Sequence, residues 1–395
     1  MAAVTTVNEA RPAAAWSAVL SMALCVAMLI ASEFMPVSLL TPMAAGLYAT
    51  EGQTGQAISV SGLFAIAASI LVTTVAGRLD RKWVLVAMTA LMLASLVLVA
   101  SAPNFAVLML GRALLGVCIG GFWALATAVI MRLVPSIDVP RALALMYGGQ
   151  AIAAAFAAPI GSYLGGLMGW RAVFWALVPI AAANLAWHLV SLPSLPARGR
   201  QDIRGMMGLL ARPHFRRGLL AAMLSWGSAF TMFTYLRPFL EQVTGVDVVV
   251  LSTILLLLGC AGFVCTWGAG RFVTGSVAPL LRIPAIVMGG CTLGLLLLLG
   301  RSVVAAGLFL AIWGAMNTAM SVLWMTWMSR TIDDAPEAAG SLMVASIQAS
   351  ILLGAALGGI LLDGLSVAAT FAGSVALAAV AVLLIGDGRS LLKPS

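Results

Sequence analysis

Twelve stretches of about 20 apolar residues, set apart by charges, prolines and glycines, follow one another along this chain from residue 16 to residue 386. Each is long enough to cross the hydrocarbon core of a bilayer as a helix, and too long for the strands of a membrane barrel. In lipid a backbone must satisfy its own hydrogen bonds, so a bundle of helices is the fold that such a pattern allows. Only 9% of the 395 residues are charged and the mean hydropathy is +1.10, which sets the chain apart from soluble domains. The expected fold is an all-α membrane protein.

The predicted spans cover residues 16–40, 54–76, 83–102, 105–131, 141–164, 171–191, 218–241, 248–270, 279–300, 303–329, 338–362 and 367–386. Lysine and arginine gather in the loops of one face. Of the 21 basic residues, 17 fall on the face that carries both termini, Arg171 and Arg301 fall on the other, and Arg112 and Arg237 lie within spans. By the positive-inside rule both termini are cytoplasmic, and in a bacterium the membrane is the inner one. The net charge of +8 is thereby spent at the membrane surface on topology and anionic headgroups, so nucleic acid is not expected as a partner. The first span is too long for a signal-peptide core and is expected to remain as an anchor.

Cys25, Cys118, Cys260, Cys265 and Cys291 all fall inside predicted spans, which argues against a disulfide framework or a metal site. His188 and His214 are too sparse to ligate a metal. No phosphate-binding glycine loop with its lysine and no catalytic His and acidic cluster occurs, so neither ATP-driven transport nor an enzyme is expected, and no cofactor.

The longest polar connection, residues 192–217, contains Pro193, Pro196, Asp202 and several arginines, and it divides the chain into halves 1–191 and 218–395. The halves echo one another. An arginine followed by Asp-x-Pro recurs at Arg132 to Pro140 and at Arg330 to Pro336, Gln150 matches Gln348 in depth, and Trp123 matches Trp324.

Glu33 is the acidic residue that lies deep within an apolar span, about seven residues and so roughly 10 Å from the span's outer end. An ionisable group in that position is costly and points to function. Arg112 in the fourth span lies at a similar depth. Two readings fit: a pair whose carboxyl takes and releases a proton during transport, or a permanent ion pair that fixes helix packing. Arg237 precedes Pro238 near the outer end of the seventh span and either snorkels or faces a cavity, while nearby Tyr235 offers a ring and a hydroxyl to a ligand or to the interface.

Arg112, Gly116 and Gly120 look like the Arg-x-x-x-Gly-x-x-x-Gly motif of the major facilitator superfamily. Gly77, Asp80, Arg81 and Lys82 look like a shortened form of its loop motif, without the second glycine. Pro159 and Gly161 look like its antiporter motif, with Ala158 and Ser162 where glycines are usual. With two parallel six-helix halves and a central loop, the chain resembles that superfamily along its whole length. Glu33 to Ala44, Gly120 to Ala124, Ser191 to Pro196 and Thr234 to Pro238 are similar to the purine ribonucleoside efflux pumps of its drug and sugar efflux branch.

The resemblance implies twelve transmembrane helices in two pseudo-symmetric halves and export of purine ribonucleosides such as inosine and guanosine by proton antiport through alternating access. It also implies gating roles for Asp80, Arg81, Pro159 and Gly161. A nucleoside offers a flat base and a polar ribose, so Phe122, Trp123, Phe233, Trp324 and Trp327 are candidates for stacking and Gln150, Asn317 and Gln348 for hydrogen bonding. Each of these aromatics also fits plain packing, and each amide an interhelical bond. The expected partners are nucleoside, protons and the bilayer, with the protein a monomer. A sugar or drug antiporter on the same scaffold and a non-transporting membrane sensor are the alternatives.

Overall fold

A computed structural model describes residues 15–75, 79–196, 207–272, 277–332 and 334–392. Gly77, Arg78, Arg198, Arg200, Asp202, Arg204 and Asp333, together with Arg11 and Lys393, lie outside the described residues. In the N-terminal half the helices are α1 (Trp16–Ser38), α2 (Leu40–Gly46), α3 (Glu51–Val75), α4 (Arg81–Ala100), α5 (Phe105–Leu133), α6 (Val139–Met168) and α7 (Trp170–Ser191). The C-terminal half holds α8 (Pro213–Phe233), α9 (Leu236–Phe239), α10 (Val248–Phe272), α11 (Arg282–Gly294), α12 (Val303–Thr331), α13 (Pro336–Gly364) and α14 (Val367–Ile385). With α11 counted together with the tight and wide turns that continue it over Ala278–Leu297, eleven helices among the described residues are long and apolar enough to cross a membrane, and α8 with α9 and its wide-turn extension to Thr244 makes the twelfth.

The helices end where the sequence supplies the chemistry. Asn104, Ser302 and Ser366 accept from the backbone N–H three residues on and so cap α5, α12 and α14. Asp80 caps α4 through Lys82 N–H at 2.9 Å. Large apolar side chains such as Leu71, Leu257, Ile360 and Leu383 are exposed around the outside, as a bilayer requires.

Two large cores form, one from residues between Ala18 and Leu195, the other from residues between Leu209 and Leu391 together with Ala158. Within a half the packing is intimate: a Cβ on Gly116 or Gly120 of α5 would come within 2.2 or 2.0 Å of the Ser61 or Ala65 carbonyl oxygen of α3. The halves meet chiefly through α3 on α13 and α6 on α10. A small apolar cluster of Val37, Ile58, Ile351 and Ala355 sits on that seam.

Two spans differ from the sequence expectation, and proline explains both. The first does not run unbroken over 16–40 but stops at Ser38 and resumes as α2. Pro36 has no N–H for the Ser32 carbonyl and Pro42 has none for that of Ser38. The seventh is bent by 48° after Phe233, because Pro238 leaves the Thr234 carbonyl without its helical donor. The central connection is also shorter than 192–217, since α8 begins at Pro213, a residue suited to the first helical turn.

Candidate functional site

Between the halves lies a cavity of about 420 Å³, within the range of small-molecule sites. Its wall is drawn from α1, α5, α6, α8, α10, α12 and α13. Trp123, Tyr147 and Met325 lie in the parts of α5, α6 and α12 nearer the face where α1 begins and α14 ends, here called the terminal face.

Toward the opposite face the halves are stitched together. Thr50 Oγ1 donates to Asp363 at 2.5 Å and Gly52 N–H to the same carboxylate at 3.0 Å. Ser59 donates to the Leu352 carbonyl at 3.0 Å. Thr41 Oγ1 lies 2.9 Å from Glu51 and 2.6 Å from Glu241, and Gln242 donates to Glu51 at 3.1 Å. Arg237, ion-paired to Glu241 at 2.7 Å, donates across the seam to the Ser38 carbonyl that Pro42 leaves unserved. Tyr235 seats its hydroxyl on the Ala355 carbonyl at 2.7 Å, and a Cβ on Gly55 of α3 would lie 2.1 Å from that hydroxyl. The cavity is thus closed at the end opposite the termini.

Aromatic rings stand along the wall among alanines, glycines and aliphatic residues. Phe34 stacks on Phe230 (5.9 Å, 16°), Phe233 stacks on Trp313 (5.8 Å, 10°), and Trp123 stacks on Tyr147 (6.0 Å, 23°). Gln150, Asn317 and Gln348 interrupt it with amides, so flat apolar surface and sparse polar groups face one space. Such a wall suits a planar ligand with a few hydrogen-bonding edges.

Glu33 is part of this wall and only 3% exposed. The expected pairing of its carboxyl with Arg112 is corrected by the geometry. Arg112, itself buried, donates to the backbone carbonyls of Ser32 (2.8 Å), Glu33 (3.4 Å) and Ala57 (3.1 Å) and to Ser61 Oγ (2.9 Å). The Ser32 oxygen is the one freed by Pro36, so the proline creates the acceptor that draws the guanidinium to the main chain. Glu33 Oε1 completes no hydrogen bond among the described residues; the charge of Arg112 and the side chain of Gln348 are close by.

Among the expected site residues, Glu33, Trp123, Gln150, Phe233, Asn317 and Gln348 come together in the wall. Phe122, Trp324 and Trp327 do not. Phe122 is fully buried in the N-terminal core. Trp327 stacks on Phe215 (6.0 Å, 9°) and donates to the Leu391 carbonyl at 3.0 Å, with Trp324 edge-on to it, both in the C-terminal core toward the end of α12. Tyr235 and Arg237 belong to the seam at the closed end.

Asp80 joins the start of α4 to the connection after α7, accepting from Leu195 N–H at 2.8 Å and from the Ser194 hydroxyl, while Arg81 N–H donates to the Leu195 carbonyl at 2.9 Å. Partial burial opposes ionisation of Asp80, yet the bonds from Ser194, Leu195 and Lys82, with Arg132 nearby, hold its carboxyl below the usual carboxylate range. Pro159 and Gly161 are buried in α6, where a Cβ on Gly161 would come 2.8 Å from Met35 of α1.

Phe34, Tyr147, Trp226, Phe230 and Trp313 also form the wall, although nothing sets them apart singly. Their signal is spacing: Trp226, Phe230 and Phe233 recur at steps of four and three on α8, and Trp313, Asn317 and Ser321 at steps of four on α12.

The family model described as Major Facilitator Superfamily matches residues 22–343. The chain belongs to the major facilitator superfamily. It is 45% identical over 387 residues to the transcription regulatory protein OpdE of Pseudomonas aeruginosa, covering 97% of this chain and 96% of that one. It is 40% identical over 348 residues to the purine ribonucleoside efflux pump NepI of Salmonella typhimurium, covering 88% and 87%. Solved structures share the fold at low identity. A bacterial homolog of the human lysosomal transporter Spinster, inward-facing and unoccupied, superposes with a TM-score of 0.75 over 96% of this chain and 99% of that one at 15% identity. A D-xylose-proton symporter gives 0.78 over 96% and 99% at 14%. As a major facilitator superfamily protein the chain is a multi-pass membrane transporter of small molecules and not an enzyme.

Proposed function

We propose that the protein exports purine ribonucleosides such as inosine and guanosine across the inner membrane in exchange for protons. The observation that carries this reading is Glu33, a carboxyl embedded in the wall of an aromatic cavity between the halves. A carboxyl there meets the proton and the substrate in one compartment, which is what exchange requires, and intramembrane ionisable groups mark such pathways. The substrate class is supported by the relatedness to a purine ribonucleoside efflux pump and by the stacked aromatics and amides of the wall.

With the termini cytoplasmic, as the basic residues favour, the conformation described is the inward-facing one. Nucleoside enters from the cytoplasm, the halves 1–191 and 218–395 rock about the cavity, and the seam at Thr41, Asp363 and Arg237 parts to release it outside. A proton taken up by Glu33 from the outside resets the carrier. Asp80 and Arg81 hold the cytoplasmic connection, Pro159 and Gly161 keep α6 close to α1, and a monomer contains the whole pathway.

The test is efflux of radiolabelled inosine from oriented proteoliposomes, with and without a proton gradient, for the native chain and Glu33→Gln. Gradient-driven movement that the variant loses is expected. A variant that responds fully to the gradient removes Glu33 from coupling. No inosine flux in folded protein turns the substrate reading to sugars or drugs. The relatedness to a protein named as a transcription regulator favours a second reading, a membrane sensor, which predicts ligand binding with no flux of any candidate.

A further inference from the structure

Two buried polar atoms in the cavity wall are left without partners, and they have opposite hydrogen-bonding character. Glu33 Oε1 is an acceptor and Gln348 Nε2 a donor, and neither completes a hydrogen bond among the described residues. Their residues are 3% and 8% exposed, both line the cavity, and the two side chains are neighbours across the seam between α1 and α13. Buried polar groups in native proteins are nearly always satisfied; this carboxyl and amide are each other's nearest partner without closing a bond, so a ligand edge that offers a better donor and acceptor can come between them at the cavity wall. Arg112 does not answer the acceptor, because its guanidinium is turned to the carbonyls of Ser32, Glu33 and Ala57 and to Ser61.

We propose that Glu33 and Gln348 read the edge of a 6-oxopurine: the Glu33 carboxylate accepts the ring N1–H and the Gln348 amide donates to O6. The inference rests on the nucleoside reading and deepens it by assigning the selecting atoms. Recognition of an unpaired base combines such edge contacts with stacking on aromatic rings, and Phe34 and Phe230 supply a stacked surface in the same cavity. Guanosine adds a second donor, its 2-amino group, for the other carboxylate oxygen. Adenosine presents donor and acceptor in the reverse order, so with its ribose held in the same place it mismatches both atoms.

The same contact explains release. A protonated carboxyl keeps its carbonyl oxygen as an acceptor but loses its charge and turns its other oxygen into a donor, so the proton weakens the hold of Glu33 on N1–H and favours release of the base. The charged and titratable side chains around the carboxyl are Arg112 from α5 and, lining the same cavity, Tyr147 from α6.

The experiment is displacement of tritiated inosine from the purified full-length protein by inosine, guanosine, 1-methylinosine and adenosine, repeated with Gln348→Leu. Guanosine is expected to displace at least as well as inosine, and 1-methylinosine about a hundredfold less well, since its methyl group leaves the buried carboxylate unmet. In Gln348→Leu inosine binding is expected to weaken about tenfold. If 1-methylinosine displaces as well as inosine, the edge assignment is overturned while the nucleoside reading stands. If folded native protein binds no inosine, both fall. The ligand series on the native chain decides the matter even where the variant does not fold.

Discussion

Arg112 and Pro36 are coupled through one oxygen, and the coupling can be measured. The Ser32 carbonyl receives Arg112 Nη1 at 2.8 Å because Pro36 has no N–H to offer it. Arg112→Met takes donors from Ser32, Ala57 and Ser61, which they hold at 2.8, 3.1 and 2.9 Å. Only the Ser32 oxygen is left unmet, at about 1–3 kcal/mol; the Ala57 carbonyl keeps its helical donor and Ser61 its bond to Ile58, so those two losses are about 0.5–1.5 kcal/mol each and the gross loss is about 2–6 kcal/mol. Removing the buried guanidinium returns part of its desolvation cost, and a net loss of about 1–4 kcal/mol is expected. Pro36→Ala restores an N–H four residues beyond Ser32, so α1 then supplies that bond itself. In the Pro36→Ala background the cost of Arg112→Met should therefore shrink by about 1–2 kcal/mol, the scale of one polar contact within a membrane protein. The assay is a double-mutant cycle by denaturant unfolding in detergent, followed by tryptophan fluorescence. Two losses that add to within about 0.5 kcal/mol would refute the argument, since residues sharing one acceptor cannot act independently.

Three further perturbations address the seam, the cytoplasmic clasp and the core. Gly55→Val places a side chain where a Cβ alone would lie 2.1 Å from the Tyr235 hydroxyl, so the closed end should open. Maleimide labelling of a cysteine at Ser59, 4% exposed on the seam, should then quicken about tenfold, the population change that about 1.4 kcal/mol produces. Asp80→Ala should cost about 1 kcal/mol as a lost cap and expose the connection after α7 to protease. Because the Asp80 carboxyl is held below its ordinary value near about 3.9, its contribution is complete above that pH and is lost only as the pH falls through the lower folded value. Proteolysis of the native connection should accordingly not change between about pH 5 and 8. Trp327→Phe keeps the ring on Phe215 but loses the bond to Leu391, for a loss of about 0.5–1.5 kcal/mol with inosine binding unchanged. A marked rise in the half-saturating inosine concentration would instead put Trp327 back in the substrate wall.

The spans were legible because bilayer thickness and backbone satisfaction leave a long apolar run few alternatives, and their ends erred by the few residues that caps and prolines control. Glu33, Gln150, Asn317 and Gln348 were legible for a related reason: a polar side chain within an apolar helix must face protein or a cavity. Aromatic rings carry no such constraint. Trp327 and Trp313 lie on one helix and both belong to the C-terminal core, yet only Trp313 also borders the cavity. About four full turns separate them, so they differ in depth along α12 more than in the direction they face, and depth relative to the cavity is not written in helical spacing. The company Arg112 keeps was hidden for another reason. Equal depth of Glu33 and Arg112 implied a carboxylate partner, whereas a proline three residues after Glu33 had already freed a better-placed oxygen.

The bond from Arg237 to the Ser38 carbonyl differs from that of Arg112 in one respect: its donor and acceptor belong to opposite halves. When the halves part at that end, an oxygen that Pro42 cannot serve and a guanidinium left with Glu241 must each find new company, and water entering among the polar side chains of Thr41, Glu51 and Gln242 provides it. The seam therefore cannot part dry. Its opening is a wetting event, and the ease with which water reaches Ser38 sets how often the carrier looks outward.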